Sequence, residues 1–565
     1  MSVWIAKRDP AEVAAELGAA TGPLAGLRLA VKGNVDVAGF PTTAGCPAYA
    51  TEPAATDAVA VARLKAAGAT VVGVTNLDQF ATGLVGQRSP YGGVRDARRP
   101  DYVSGGSSSG SAVAVALGLA DIAIGTDTAG SGRVPAAFQG IVGIKPTLGT
   151  VSTDGVVPAC RSWDAVTIFA RDLDTADTAM AAMAGGPGTR AWPADAPLAA
   201  PYAARVAVPA SLPAMAPGWA AAFAAAADRL RADGCTVSPV PFDAFLAAAK
   251  LLYEGALVAE RHAAVGDFVD AHRDLVDPTV GAIIAAAGAV RATDMVRDLQ
   301  RLASLKAEAL GLLEGFDALL VPTAPCHPTI AEVAAAPIAV NSRVGTYTNF
   351  CNLFDLCAVA VPSGSVDGAQ FGVTVLARPF HDAVALDLAR RVHLAPDPVA
   401  AVDAALPRIA TAEAAVPRIA TAEAAPALPR PELPWPAHAG ATAVPLLVVG
   451  AHLRGQPLEH ELVTRGARWA GPVKTAAAYA LRALTTTPPK PGLVRTGAGG
   501  SPIEGELWLL PVAALGSFLA ALPAPMNLGP VELDDGRWVT GFGCAADATG
   551  TDITGYGGWR SWLTA

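Results

Sequence analysis

At 565 residues, 52% hydrophobic and 16% charged, the chain is long enough for two or three domains and too apolar to be mainly disordered. Its net charge of -9 excludes nucleic acid as an expected partner, since phosphate neutralisation needs clustered Lys and Arg. The seven scattered cysteines form no C-x-x-C, and no H-E-x-x-H or His/Cys cluster occurs, so reduced thiols in a cytoplasmic setting and no metal are expected.

The start, MSVWIAKRDP, lacks the charged and apolar regions of a signal peptide. LRLAVK (Leu27–Lys32) reads as a strand, DAVAVARLKAAG (Asp57–Gly68) as a helix closing on glycine, and ATVVGVTN (Ala69–Asn76) as a second strand. GGSSSGS leads into the helical AVAVALGLA, and DIAIGT is a further strand. The best apolar run, Ala112–Gly125, is short and broken by Asp121, so no membrane span is expected. WAAAFAAAADRLRADG (Trp219–Gly234) reads as a helix, Phe245–Leu313 as mostly helical, and DALLVPTAP (Asp317–Pro325) as a strand. This alternation argues for an α/β layered domain over about residues 1–400, with a buried and largely parallel sheet. Residues 401–440 read as a Pro/Ala-rich linker in which PRIATAEAA occurs twice, at Pro407–Ala415 and Pro417–Ala425. Residues 441–565, with short glycine-punctuated apolar runs, read as a small β-rich domain.

Two glycine–serine turns stand out in GGSSSGSAVAVALGLADIAIGTDTAGSGR (Gly105–Arg133). Neither fits a phosphate loop, which needs G-K-[ST], and neither is G-x-G-x-x-G. For the first turn, helix capping, anion binding and catalysis all remain open. In the second, Ser131 lies in a tight turn after an apolar strand, where convergent N–H groups can hold an oxyanion. A nucleophilic serine needs a base, and the chain has no histidine before His262. Lys32 at the end of its strand is a candidate, because burial favours the neutral amine. On the residues alone, a surface lysine at a strand end is the plainer reading.

Lys32, GGSSSGS and GTDTAGSGR, in this order, resemble the amidase signature family over about residues 20–400. The resemblance implies an α/β/α layered fold with a large mixed sheet and a Ser–cis-Ser–Lys triad without a cofactor. Ser131 would be the nucleophile, Ser107 (preceded by a cis peptide) the bridging serine and Lys32 the terminal base. The N–H groups of Thr128, Ala129, Gly130 and Ser131 would form the oxyanion hole. Ser109 and Ala129 replace glycines of the commonest motifs, and DTAGSGR fits one subgroup, the allophanate hydrolases. LLYEGALVAERHAAV (Leu251–Val265) resembles that subgroup's substrate helix. Tyr253 and Arg261, about two turns apart, would hold the carboxylate of a small anionic amide.

The tail motifs VVGAHLRGQPLEHELVTRGAR, PPKPGLVR and DITGYGGWRSWL resemble the subgroup's carboxy-terminal domain, an α+β fold similar to γ-glutamyl cyclotransferases. LGSFLAALPAP holds no Glu or Asp, which argues against cyclotransfer. The implied role is decarboxylation of N-carboxycarbamate, with His452 the candidate proton donor or anion ligand and His460 the alternative. The implied activity is hydrolysis of allophanate (urea-1-carboxylate), and a homodimer is the family expectation. The competing expectation is another amide hydrolase, for malonamide-like or aryl amides, with the tail as a non-catalytic assembly module.

Overall fold

The computed structural model describes residues 2–395, 428, 431–497 and 499–565. Contacts divide the chain into two units, Met1–Arg190 with Ala203–Pro431, and Ala191–Tyr202 with Glu432–Ala565.

The first unit is built on one sheet of eleven strands. In chain order these are β1 (Trp4–Lys7), β2 (Arg28–Lys32), β3 (Thr70–Thr75), β4 (Ile122–Asp127), β5 (Val142–Lys145), β6 (Ala165–Ala170), β7 (Arg205–Pro209), β8 (Thr236–Val240), β9 (Ala318–Pro322), β10 (Cys357–Val366) and β11 (Ala369–Ala377). Their spatial order is β1-β3-β2-β4-β6-β5-β10-β11-β9-β7-β8. Pairing is parallel within β3-β2-β4 and within β9-β7-β8. Everywhere else it is antiparallel. The expectation of a largely parallel sheet is therefore corrected to a mixed one. Helical crossovers set the two parallel blocks, but the centre is made by strands that turn back on their neighbours, β10 onto β11 above all. Apolar runs buried along their whole length, such as IAIGTD in β4, do not by themselves distinguish the two arrangements.

The helix Ser109–Ala116 follows the first serine turn and is built from small residues, buried from Ser109 to Val115. The cap position, Ser108, makes no side-chain cap bond. Its hydroxyl instead donates to the Thr126 carbonyl and accepts from the Thr126 N–H. Ser111 donates to the Ile124 carbonyl. These serines stitch the helix to β4 rather than closing its end. The segment expected to be helical contains Asp243–Glu254, Ala259–Ala271, Pro278–Ala287 and Ala292–Leu312. The first of these packs Phe242 and Phe245 against Tyr347, Phe350 and Phe354 in an aromatic core.

In the second unit, β12 (Ala443–Val448), β13 (Arg468–Lys474), β14 (Tyr479–Leu484), β15 (Lys490–Arg495), β16 (Glu504–Pro511), β17 (Met526–Glu532), β18 (Trp538–Cys544) and β19 (Gly550–Asp552) form two sheets. Their orders are β13-β16-β12-β18-β17 and β15-β14-β19. The apolar AVPLLV of β12 lies at the centre of the larger sheet and ends in Leu446, Leu447 and Val448, all fully buried. Residues 191–202, read from sequence as part of the first domain, pack within this unit. Leu198 N–H donates to the Gly466 carbonyl, and Trp192 meets Trp435 edge-on at 5.4 Å. Both copies of PRIATAEAA lie outside the described residues. The end of the expected linker holds a short helix, Trp435–Ala439. All seven cysteines are unpaired and buried. Among the described residues, no single helix is long and apolar enough to cross a membrane.

Candidate active site

β2 and β4 are parallel neighbours, so their carboxyl ends deliver Lys32 and the turn after Asp127 to the same edge of the sheet. That edge is where open α/β sheets place ligands. The first serine turn enters from the side, because the 109–116 helix is stitched to β4.

Lys32 is fully buried. Its Nζ donates to Ser107 Oγ at 2.8 Å and to Thr126 Oγ1 at 2.7 Å. The Gly106–Ser107 peptide is cis. Gly106 has no room for a side chain: a Cβ there would lie 2.1 Å from Asp78 Oδ2. Burial depresses the Lys32 ammonium to a pKa of about 7, although Asp78, Asp164 and Asp127 oppose the shift. Ser131 is 4% exposed, and its Oγ donates to the Gly83 carbonyl at 3.5 Å. No hydrogen bond joins it to Ser107 among the described residues. Such bonds are often long in unliganded sites.

The second serine turn is anchored by a buried ion pair. Asp127 Oδ1 and Oδ2 accept from Arg133 Nη2 at 2.8 Å and Nε at 2.9 Å, with both side chains fully buried. The same carboxylate accepts from the Gly130 and Gly132 N–H groups, both at 2.9 Å. Burial pushes the Asp127 carboxyl upward, but Arg133, Lys145 and these bonds hold it below its ordinary value. Gly130 sits at φ 134, and a Cβ there would meet Thr348 Oγ1 at 2.4 Å. Of the four N–H groups expected to face an oxyanion, Gly130's is thus taken by Asp127. Among the described residues, those of Thr128, Ala129 and Ser131 have no acceptor. Removing Arg133 would leave a buried unpaired carboxylate and cost about 3–5 kcal/mol of stability.

Arg261 is 1% exposed. Its Nη1 donates to Thr82 Oγ1 at 2.8 Å and its Nη2 to Tyr253 OH at 3.0 Å. The Tyr253 ring lies under the guanidinium at 5.0 Å. Arg261 Nε is buried without a partner. Ala81–Gly83 connects the two halves of the site, since Thr82 holds Arg261 and the Gly83 carbonyl holds Ser131. Arg261 is also among the charges acting on Lys32, in the direction that lowers its pKa. Glu260, the sequence neighbour of Arg261, accepts from the Ser162 N–H at 2.9 Å.

In the second unit His452 follows β12 and is 6% exposed. Its Nε2 lies 3.1 Å from Glu461 Oε2, and its ring stacks on Phe542 at 4.7 Å. Burial depresses its pKa, partly offset by Glu461. It lines a cavity of about 20 Å³ with Lys490, Met526 and Phe542. His460 is exposed, with Nδ1 2.9 Å from the Pro457 carbonyl.

Sequence reasoning missed several neighbours. Asp127 and Arg133 lie inside the quoted motif, and two opposite charges flanking a glycine-rich turn were the available signal. Thr126, the second partner of Lys32, was also in the motif. Asp164 and Asn352 are distant in sequence and carried no signal. Asn352 Nδ2 donates to both the Asp127 and Trp163 carbonyls.

Residues 2–386 match the model of the Amidase family. The chain belongs to the amidase family. Residues 444–564 match the model described as allophanate hydrolase C-terminal domain. The chain is 42% identical over 558 residues to the urea amidolyase of Lachancea kluyveri, covering 96% of itself but 30% of that relative. It therefore spans less than a third of the urea amidolyases it matches. The allophanate hydrolase structure from Kluyveromyces lactis superposes with a TM-score of 0.86 at 37% identity, over 99% of this chain and 93% of that one. A glutamyl-tRNA(Gln) amidotransferase structure from Thermotoga maritima matches 65% of this chain and 82% of its own, with a TM-score of 0.57 and 27% identity. The amidase-family sheet and the separate β-rich unit are the fold of these allophanate hydrolase structures.

Proposed function

We propose that this amidase-family chain hydrolyses allophanate. The observation that carries the reading is a fully buried Arg261, with Tyr253 on one side and an unpartnered Nε, in a site that also holds the buried Lys32–Ser107 pair. A guanidinium with a free buried donor suits a carboxylate on the substrate. The serines and the lysine suit attack on the adjoining amide.

In this reading Lys32 works as a neutral amine. Ser107 O–H then donates to Nζ, while an amine hydrogen stays on Thr126 Oγ1. Ser107 in turn accepts the proton of Ser131 as Ser131 Oγ bonds to the amide carbon. The free N–H groups of Thr128, Ala129 and Ser131 face the charge that develops on the carbonyl oxygen. The proton returns through Ser107 to the leaving nitrogen, ammonia departs, and water hydrolyses the acyl-enzyme to N-carboxycarbamate. The second unit would then speed loss of carbon dioxide from that product, with His452 as proton donor or anion ligand and Lys490 on the same cavity. The carbamate left after that loss takes up a proton and falls apart to ammonia and a second carbon dioxide, so the net change is allophanate, water and a proton to two ammonia and two carbon dioxide. The relatives' names support this substrate, and the two units match both halves of the allophanate hydrolase structures.

The test is ammonia release by the purified chain from allophanate, against malonamide-like and aryl amides. Turnover of the simple amides alone would end the assignment. Arg261→Ala is expected to raise KM for allophanate roughly 10- to 100-fold, the loss of charge-assisted hydrogen bonds, with a smaller change in kcat. An unchanged KM would remove Arg261 from substrate recognition. His452→Ala is expected to leave the first ammonia untouched and to slow carbon dioxide release. If carbon dioxide keeps pace with ammonia in that variant, His452 has no part in decarboxylation.

A further inference from the structure

The turn that carries Ser131 leaves three buried N–H groups without acceptors among the described residues, and Thr128 and Ala129 are only 3% and 1% exposed. Unpaired buried donors are costly, so such a turn rotates toward any acceptor in reach unless something holds it. One hold is Asp127, which fixes Gly130 and Gly132 at the far side of the turn. On the near side, Asn352 Nδ2 holds the Asp127 carbonyl, while the Thr128 and Ala129 main-chain groups beyond it make no hydrogen bond among the described residues. There the Thr128 hydroxyl donates to Asp164 Oδ1. Asp164 is itself fixed: its oxygens accept from the Ala159 N–H at 2.9 Å and the Cys160 N–H at 3.2 Å. The loop bearing Asp164 is tied down at two more points, by Asn352 on the Trp163 carbonyl and by Glu260 on the Ser162 N–H.

We propose that Asp164 is a positioning residue for the oxyanion site, acting through the Thr128 hydroxyl to keep the Thr128 and Ala129 N–H groups aimed at the reacting carbonyl. Among the described residues, no hydrogen bond joins it to Ser131. A carboxylate suits this task because a charge-assisted bond to a hydroxyl is stronger than a neutral one. The two oxygens of Asp164 are engaged by the Thr128 hydroxyl and the Ala159 and Cys160 N–H groups. The proposal rests on the hydrolase reading above and goes beyond it, by assigning a role to a residue outside the serine motifs.

The test compares Thr128→Val, Thr128→Ser, Asp164→Ala and the double variant Thr128→Val/Asp164→Ala in steady-state turnover of allophanate, normalised to folded enzyme. Thr128→Val and Asp164→Ala are each expected to lower kcat roughly 10- to 100-fold with little change in KM, the signature of a lost transition-state contact. Thr128→Ser, which keeps the hydroxyl, is expected to recover most of the kcat that Thr128→Val loses. Measured at pH 9, where Lys32 is neutral with or without the Asp164 charge, the double variant is expected to be no worse than the poorer single one, because both then break one interaction. A purely architectural role would reduce the folded fraction and leave kcat per folded molecule intact, and that result overturns the proposal. So does a normal kcat in Thr128→Val, or losses that multiply in the double variant. If Asp164→Ala does not fold, the Val and Ser variants of Thr128 decide alone. Activity surviving in Ser131→Ala would instead end the underlying hydrolase reading, so the two failures are distinguishable.

Discussion

Ser131→Ala is expected to abolish ammonia release from allophanate, lowering kcat by about 10⁴-fold or more, as removal of a serine nucleophile does elsewhere. The reason is geometric. Ser131 is held in a turn anchored by the buried Asp127–Arg133 pair, and the same turn carries the Thr128 and Ala129 N–H groups, which have no acceptor among the described residues. No other hydroxyl in the site combines those features. Ser107 faces Lys32, and Thr126 is a second partner of the same amine. The alanine variant keeps the turn, because the anchoring bonds come from Asp127, Gly130, Gly132 and Arg133, and Ser131 contributes a single 3.5 Å contact to Gly83. Folding and substrate binding are therefore expected to survive. Residual turnover near wild type would show that the bond-forming atom is elsewhere.

Lys32→Ala is expected to cost about 10³-fold in kcat or more, within the range for losing a general base together with its positioning. The proposed relay requires the amine to be neutral. Desolvation is the dominant cause of its depressed pKa of about 7. The sign follows directly: below that pH the ammonium is protonated and cannot take the Ser107 proton, and above it the amine is free. Activity is therefore expected to rise with pH through about 7 and then level off. Lys32→Arg should not rescue it, because a guanidinium keeps its proton throughout this range. The variant's stability is a separate matter. A lysine whose folded pKa is depressed lowers stability at pH values below its unfolded pKa, so Lys32→Ala is not expected to unfold the chain at neutral pH.

Much of the fold was legible. The β2 strand and the helices Val59–Ala66 and Trp219–Ala232 lie within the segments read from apolar periodicity and glycine stops, and β4 runs one residue past the DIAIGT read as a strand. The direction of the central strands was not legible, because a strand buried on both faces looks the same in either direction. The serine turns drew notice from local sequence, yet their roles could not be separated there. The serines at 108 and 111 bond to β4, and that requires knowing that residues 107–116 lie against residues 122–127. Lys32 showed the same limit. A lysine at the end of RLAVK looks like a surface residue until Ser107 and Thr126 close over it. Only the spacing of three motifs, read as a family resemblance, pointed to the pair. Asp164 and Asn352 had no such spacing, and contacts across more than 30 residues of intervening chain brought them to the turn.

The most direct measurement is the pH dependence of the single-turnover rate of the first ammonia release, in the wild type and in Lys32→Ala. A hydroxyl relay ending in an uncharged buried amine predicts a wild-type rate that climbs about tenfold per pH unit below 7 and flattens above, and a slow variant in which this ionisation has vanished. A wild-type rate that is flat from pH 6 to 9, or the same rise persisting without the lysine, would contradict it.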